Sequence, residues 1–511
     1  MATSYAIDVL DNLIREELPS VITETLPTIA PVYKYIKKTS LGVTRDGIGR
    51  DWKVIHLFGG GVAGLMQHSD PRGPLFEDNA YYPQSRVYEG TGLAPFPSAS
   101  AAPHVSTQKR ELALHMSTGN FSIPVTWIQG DKLSASQIEQ VTRDIKGVGE
   151  LRAQTEAASF FMPANNTLCQ IDNYDSSGEA NGWFKFTVKV GTGRTAFFRR
   201  GMMVDVILNN SGPQFGLLKD GTDRVNYEDD KTTYIPLIVA DVDYFSGVIK
   251  IASINADSGG IEAADLASGT AIVDDDYIVL RENVTASREM RSWGLEDWIK
   301  AGTSATAAEN YIMGGTSGTE GLDLATFSEF RSLVKAVNGP LTDTVMNGYI
   351  GGFLDAYPGA SLDTIITTMG VTLKYIEQPS LYNNRMFYDR QGKSLDVKGG
   401  WDDVAFSFNG RTFNWLISPL CISGYLYATK FNGGNVRRYM PPKIGGTNAL
   451  VGNEVEFLAP VAGHSTVFMV GRASGGAPQA LLEAPFWQYC LIAPVDVKSV
   501  KLTGLTEATM T

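Results

Sequence analysis

Hydrophobic positions change their spacing several times along the chain, and each change predicts a new element. Residues 4–18, "SYAIDVLDNLIREEL", carry apolar side chains at helical intervals. Pro19, Pro27 and Pro31 then predict an extended arm, because an interior proline lacks the helix N–H and clashes with the preceding turn. An outgoing strand, Trp52 to Phe58, is followed by a Gly/Pro/Ser-rich excursion containing "PFPSASAAPHVS" and an alternating return, "LALHMSTGNFSIPVTWI". A stretch that long without elements of its own predicts a loop reaching away from the body. "SASQIEQVTRDIKGVGELRAQTEAASFFM" then predicts one helix of about 28 residues, about 42 Å long. Ser134 and Gln137 form its capping box, and Ile138, Val141, Ile145 and Val148 form its core stripe. Gly147 and Gly149 predict a bend or soft point within it.

From 166 to 288 the period becomes two. "FKFTVKV", "MVDVIL", "YIPLIVADV", "VIKIASI" and "YIVLR" are short strands with no helix between them, predicting a small barrel or sandwich with a core of its own. Helical spacing returns in "LATFSEFRSLVKAVNGP", with Phe327, Phe330, Val334 and Val337 on one face, and in "LTDTVMNGYIGGFLDAYPG", which ends at Pro358-Gly359. "VAFSFNGRTFNWLI" predicts a hairpin about Asn409-Gly410 that pairs Phe406 with Phe413 and Val404 with Trp415. "TVFMVG" and "FWQYCLIAPVDV" add strands to a mixed α/β end.

Composition narrows the function. At 511 residues and 43% hydrophobic, the chain can bury several cores. No stretch reaches the roughly 20 apolar residues of a membrane helix, and the acidic amphipathic start is unlike a signal peptide, so no membrane partner is expected. Cys169, Cys421 and Cys490 are far apart and read as buried small hydrophobes rather than a disulfide framework or zinc site. A net charge of −12 argues against tight nucleic-acid binding, which needs clustered cations. Lys34, Lys37, Lys38, Arg45, Arg50 and Lys53 make one basic stretch, read as a solvated face or as a contact for phosphate or an acidic partner.

The catalytic signatures fail one by one. In "WKVIHLFGGGVAG", Gly59, Gly61 and Gly64 have the spacing of a dinucleotide-binding turn, but Pro71 and Pro74 forbid the helix whose N-terminus would hold the pyrophosphate. The glycines read instead as a pliable turn of a hairpin. Gly392-Lys393-Ser394 has Phe387 where a phosphate loop needs glycine, and "NADSGGIEAADL" has Leu266 where a calcium loop needs glutamate. Asp274, Asp275 and Asp276 either share an ion or form a solvated turn. His56, His68, His104, His115 and His464 show no metal spacing, and no G-x-S-x-G elbow exists. No catalytic, cofactor-binding or metal residue is expected.

The order of parts resembles the major capsid proteins of tailed bacteriophages. The resemblance is carried by the extended loop before "SASQIEQ…ELRAQ", by the inserted block "FRRGMMVDVIL…IVADVDYFSGVIKIASI…DDDYIVLREN", by "GLEDWIKAGT" and by "RTFNWLISPLCISGYLYA". It implies the α+β Johnson fold, also called HK-ninety-seven-like: N-terminal helix and arm (1–44), extended loop (45–132), spine helix (133–165), β-barrel-like insertion (166–288), and peripheral and axial domains (289–511). It further implies a virion capsid assembled in the host cytoplasm, with hexamers and pentamers closing an icosahedral shell around double-stranded DNA. A separate scaffolding protein, a portal and a decoration protein are the implied partners. Loop contacts between subunits are expected at Trp52, Gly59, Gly61, Gly64, Pro71 and Arg72. An encapsulin-like cargo compartment or another virion part stay open as alternatives.

Overall fold

The computed structural model describes residues 3–45, 52–62, 105–124, 135–162, 167–175, 177, 183–207, 237–253, 272–280, 294–302, 311–313, 322–325, 327, 330–357, 360–378, 405–408, 411–441, 450–451, 455–457, 468–474 and 477–508.

The chain begins with helix α1, Thr3–Ile29. The expected end at Leu18 and the arm after it are corrected: the helix continues through Pro19 and Pro27. Only Pro31 opens a new element, the 3-10 turn Pro31–Lys34, whose first position tolerates a missing N–H. Tertiary packing outweighs the prolines. Ile14, Leu18, Ile22 and Leu26 recur every fourth residue and are 0–2% exposed. Burying four such side chains contributes about 1.5–3 kcal/mol each, against roughly 3 kcal/mol or more for each interior proline.

These residues pack on helix α2, Ala135–Ser159. Val141 and Ile145 are buried, Val148 is partly buried against the same cluster, and Ile138 lies half-exposed at the start of the stripe. The helix is unbroken at both glycines, which have different surroundings. A Cβ on Gly147 would meet nothing, whereas on Gly149 it would sit 2.7 Å from Val21 Cγ1 and 3.0 Å from Val21 Cβ. Gly149 therefore lets α1 approach closely. Gly147→Ala should raise stability by up to about 1 kcal/mol through helix propensity. Gly149→Ala should lower it by about 1 kcal/mol or more through overpacking. Urea midpoints of the two variants with the same sign would refute this account of the helix contact.

Beyond α2 the strands Thr167–Asp175, Trp183–Val188, Met203–Ile207, Leu237–Val242, Val248–Ser253 and Tyr277–Leu280 close into a six-stranded barrel. Alternation builds it: Phe184 and Phe186 point inward, as do Val204 and Val206. The expectation of a private core is revised, because the barrel interior joins the hydrophobic cluster that contains α1 and α2. Arg194 strengthens the junction by donating to the Pro419 carbonyl (3.1 Å) and Ser423 Oγ (2.8 Å), and the Tyr425 hydroxyl donates to the Gly191 carbonyl (2.8 Å).

Two larger sheets form the body. One is organised by an 18-residue strand, Ala477–Pro494, which pairs with His115–Pro124, Val436–Tyr439, Val455–Phe457 and Phe468–Ser474. The other has six strands and runs Leu333–Gly339, Val500–Leu505, Leu426–Thr429, Thr364–Thr367, Arg411–Ile417, Ala405–Phe408. The helix expected from Phe327 to Val337 is corrected: Leu333–Gly339 is an edge strand, parallel to Val500–Leu505. Its valines suit a strand, and at spacings of three and four an edge strand with mixed exposure imitates a helix. The next helical stretch is present from Asp343 to Ala356, with a π segment at Asn347–Gly351. Phe406 pairs with Phe413 and Phe408 with Arg411, the register of a two-residue turn. Val404, Asn409 and Gly410 lie outside the described residues.

Candidate assembly surface

The strand Trp52–Val62 pairs antiparallel with Val105–Ala113, from Lys53 opposite Ala113 to Val62 opposite Val105. Val43–Arg45 adds a third strand at the base. Period-two alternation gives this ribbon two unlike faces. Trp52, Val54, His56 and Phe58 are at most 2% exposed, whereas Ile55 and Leu57 between them are 46% and 51% exposed. One face is seated on the body, and the other presents aliphatic side chains to solvent.

The seated face is held by several kinds of contact. His56 bridges two strands of the body: its ring nitrogens lie 2.9 Å from the Tyr439 hydroxyl and 2.9 Å from the Pro494 carbonyl. A carbonyl can only accept, so Nε2 carries the proton and Nδ1 accepts from Tyr439. Burial pushes the His56 pKa down to about 4; the Pro494 hydrogen bond opposes this and nearby Arg437 adds to it. Three residues on, the Gly59 N–H donates to the Val495 carbonyl at 2.7 Å. The guanidinium of Arg45 lies 5.7 Å from the centre of the Trp52 ring, and the Leu114 N–H donates to the Trp52 carbonyl.

The pliable-turn reading of the glycines is corrected for two of the three. Gly59 and Gly61 belong to the strand, with a bulge between Phe58 and Gly61. A bulge admits one unpaired residue and tightens the local twist, a task suited to side-chain-free positions. Gly64, Pro71 and Arg72 lie outside the described residues. So do Ser134, His68, His104, His464, Arg50, the Gly392–Ser394 motif and the calcium-like stretch after Asn255.

Underneath the seated loop, Arg438 and Glu156 form a bidentate ion pair, with both N–O distances at 2.7 Å. Their side chains are 1% and 5% exposed. The pair fastens α2 to the strand Val436–Tyr439, and the Tyr33 hydroxyl donates to the Glu156 carbonyl from the 3-10 turn Pro31–Lys34 that follows α1.

The other candidate groups are occupied separately. Asp274 accepts from the Tyr174 N–H, Asp275 pairs with Lys189, and buried Asp276 accepts from the Val273 N–H. Each of the three carboxylates thus has a protein partner of its own. Cys169, Cys421 and Cys490 are all buried, and burial pushes the thiols of Cys169 and Cys421 well up. Of the basic stretch, Lys37 and Lys38 are exposed and Lys38 Nζ donates to Thr23 Oγ1. Among the described residues no group of three or more His, Cys, Asp or Glu could hold a metal ion, and no helix is long and apolar enough to cross a membrane.

The sequence marks the outgoing loop strand, but the expected return "LALHMSTGNFSIPVTWI" is corrected: Val105–Ala113 pairs with the outgoing strand and His115–Pro124 joins Ala477–Pro494 in the body. The parts played by His56, Glu156 and Arg438 are not marked. Their only local signal is a polar residue at an inward position of an otherwise apolar face.

No family model matches the sequence, and no curated protein matches it. Among solved structures, the chain is similar to the cyanophage A-1(L) capsid asymmetric unit, at 9% identity and a TM-score of 0.38, over 95% of this chain and 93% of that one. It is also similar to the capsid of the native GTA particle, at 10% identity and a TM-score of 0.32, over 94% and 90% of the two chains. The likeness to the holo-SrpI encapsulin complex of Synechococcus elongatus PCC 7942 spans 34% of this chain and 52% of that one, at 11% identity and a TM-score of 0.20. Superpositions this loose carry no functional argument, which rests on the chain's own geometry.

Proposed function

We propose that this chain is a structural, non-enzymatic subunit of a tailed-phage capsid, built on the Johnson fold. In this reading copies assemble as hexamers and pentamers into an icosahedral shell around double-stranded DNA, with a separate scaffolding protein, a portal and a decoration protein as partners. Gly61, Gly64, Pro71 and Arg72 belong to the part of the loop that meets a neighbouring subunit, whereas Trp52 and Gly59, on the seated face, hold the loop to its own body.

The observation that carries the reading is the two-faced ribbon. Its inner face is fastened to the body by a buried histidine and a strand bridge, while its outer face leaves Ile55 and Leu57 bare. A lone subunit gains nothing from exposing two aliphatic residues on a rigid strand; a neighbour that covers them gains their burial. The net charge of −12 suits an enclosing wall that repels packed DNA weakly instead of binding it.

The test is electron microscopy of purified assemblies beside a paired substitution, Ile55→Lys with Leu57→Glu. In register these positions stand opposite residues 111 and 109, so the backbone pairing is kept while the apolar face is lost. The expected result is closed shells for the natural chain, and for the variant soluble subunits with unchanged circular dichroism and no shells. Closed shells filled with protein cargo would replace this reading by a nanocompartment. Tubes or sheets, or normal shells from the variant, would overturn the role given to the ribbon.

A further inference from the structure

We propose that His56 is an acid-sensitive latch for the loop: in its neutral form it ties the loop strand to two strands of the body at once, and on protonation it releases them.

The geometry sets the requirement. Neutral imidazole offers one donor and one acceptor, and the site supplies one acceptor, the Pro494 carbonyl, and one donor, the Tyr439 hydroxyl. A proton taken from solvent onto Nδ1 turns both nitrogens into donors. The Tyr439 O–H must then rotate away to accept, and a positive charge is left at a side chain that is 0% exposed.

Charged groups on the surrounding elements do not compensate. On the paired loop strand Arg110 stands opposite His56, with its guanidinium 5.6 Å from the centre of the Phe327 ring. From Val436–Tyr439, Arg437 acts on the imidazole as a second cation and Tyr439 is its neutral partner. Arg438 is turned to Glu156. Past Pro494, the carboxylate of Asp496 accepts from the Lys498 N–H. Lys53, on the loop strand itself, belongs to the opposite face by alternation.

The sign follows from the depressed value. The His56 pKa is about 4 in the fold against 6.5 for a free histidine, so the latch contributes fully above pH 6.5 and weakens as pH falls towards 4. At pH 5 the two values give a roughly thirty-fold loss in the closed-to-open ratio.

Hydrogen exchange on full-length, unassembled subunits at pH 7.5 and pH 5 tests this independently of shell formation. After correction for intrinsic exchange, protection of the Gly59 N–H, which donates to the Val495 carbonyl of the body, is expected to fall roughly thirty-fold relative to the central strand Leu426–Thr429. His56→Gln, which can both donate and accept but does not titrate, should abolish the relative fall. An equal fall in the variant, or none in the natural chain, overturns the latch. Should the glutamine variant not fold, a titration of labelled histidine in the natural chain decides. A His56 midpoint near 4 accompanied by loop opening supports the latch, and a midpoint near 6.5, or no opening at its midpoint, refutes it.

Discussion

Replacing Glu156 by alanine should destabilise the subunit by about 3–5 kcal/mol, because it strands the Arg438 guanidinium at 1% exposure without its carboxylate. The same guanidinium also donates to Met440 Sδ at 3.5 Å, a weak acceptor that does not replace a carboxylate. The expected observations are a lower urea midpoint and a loss of soluble yield. The pair's net contribution is a separate quantity. Glu156→Leu combined with Arg438→Met removes both charges and should recover most of the loss, since apolar replacements of buried ion pairs are often neutral or stabilising. A single substitution costing under about 1 kcal/mol would show that the carboxylate is not what holds Arg438, and that α2 is fastened to the body by packing alone.

Gly294→Ala should cost about 3 kcal/mol, at the upper end of overpacking effects. Gly294 lies where the chain returning from the barrel meets the C-terminal end of α2. A Cβ there would stand 2.3 Å from the Phe160 carbonyl oxygen, 2.7 Å from its carbon and 2.9 Å from the Ser159 oxygen. All three are backbone atoms, so no rotamer change relieves the contact. Moving the segment away would break the Leu295 N–H bond to the Phe160 carbonyl, 2.9 Å, and would part the Trp298 and Phe160 rings, whose centres are 5.6 Å apart. Gly294→Ala and Gly147→Ala are the same chemical change with opposite expected signs. A midpoint for Gly294→Ala within about 0.5 kcal/mol of the natural chain would mean that this junction is loose.

What the sequence reveals about the fold depends on how local the deciding interaction is. The alternation of Phe184, Lys185 and Phe186 marks a strand because each side chain's environment is set by the pleat itself. The pairing of Phe406 with Phe413 is legible because Asn409-Gly410 selects one short turn and hence one register. The end of α1 is not legible, since Pro19 argues locally for a break and the opposing force is burial against α2, more than a hundred residues away. Leu333–Gly339 is misread because Phe327, Phe330, Val334 and Val337 stand at helical spacings although only the two valines belong to the strand, and its parallel partner begins only at Val500. The candidate surface divides similarly. The loop strand is visible from its pattern, but which face it seats is not. His56 is set by Tyr439 and Pro494, 383 and 438 residues downstream, and Glu156 by Arg438, 282 residues downstream.

Those separations also order events in time. His56 is synthesised 383 residues before Tyr439 and 438 before Pro494, so at 5–20 residues per second the loop strand waits roughly 20–90 s for the partners that seat it. The strand His115–Pro124 likewise waits for Ala477–Pro494, and the six-stranded sheet needs Val500–Leu505 before Leu333–Gly339 has its neighbour. High contact order slows folding, and a nascent chain with unpaired ribbons is a target for chaperones. It also acts as a proofreading step. A polypeptide truncated anywhere before its last strands lacks the groups that fix the loop, so translation must reach the C-terminal strands before a copy can offer its neighbours a properly seated edge.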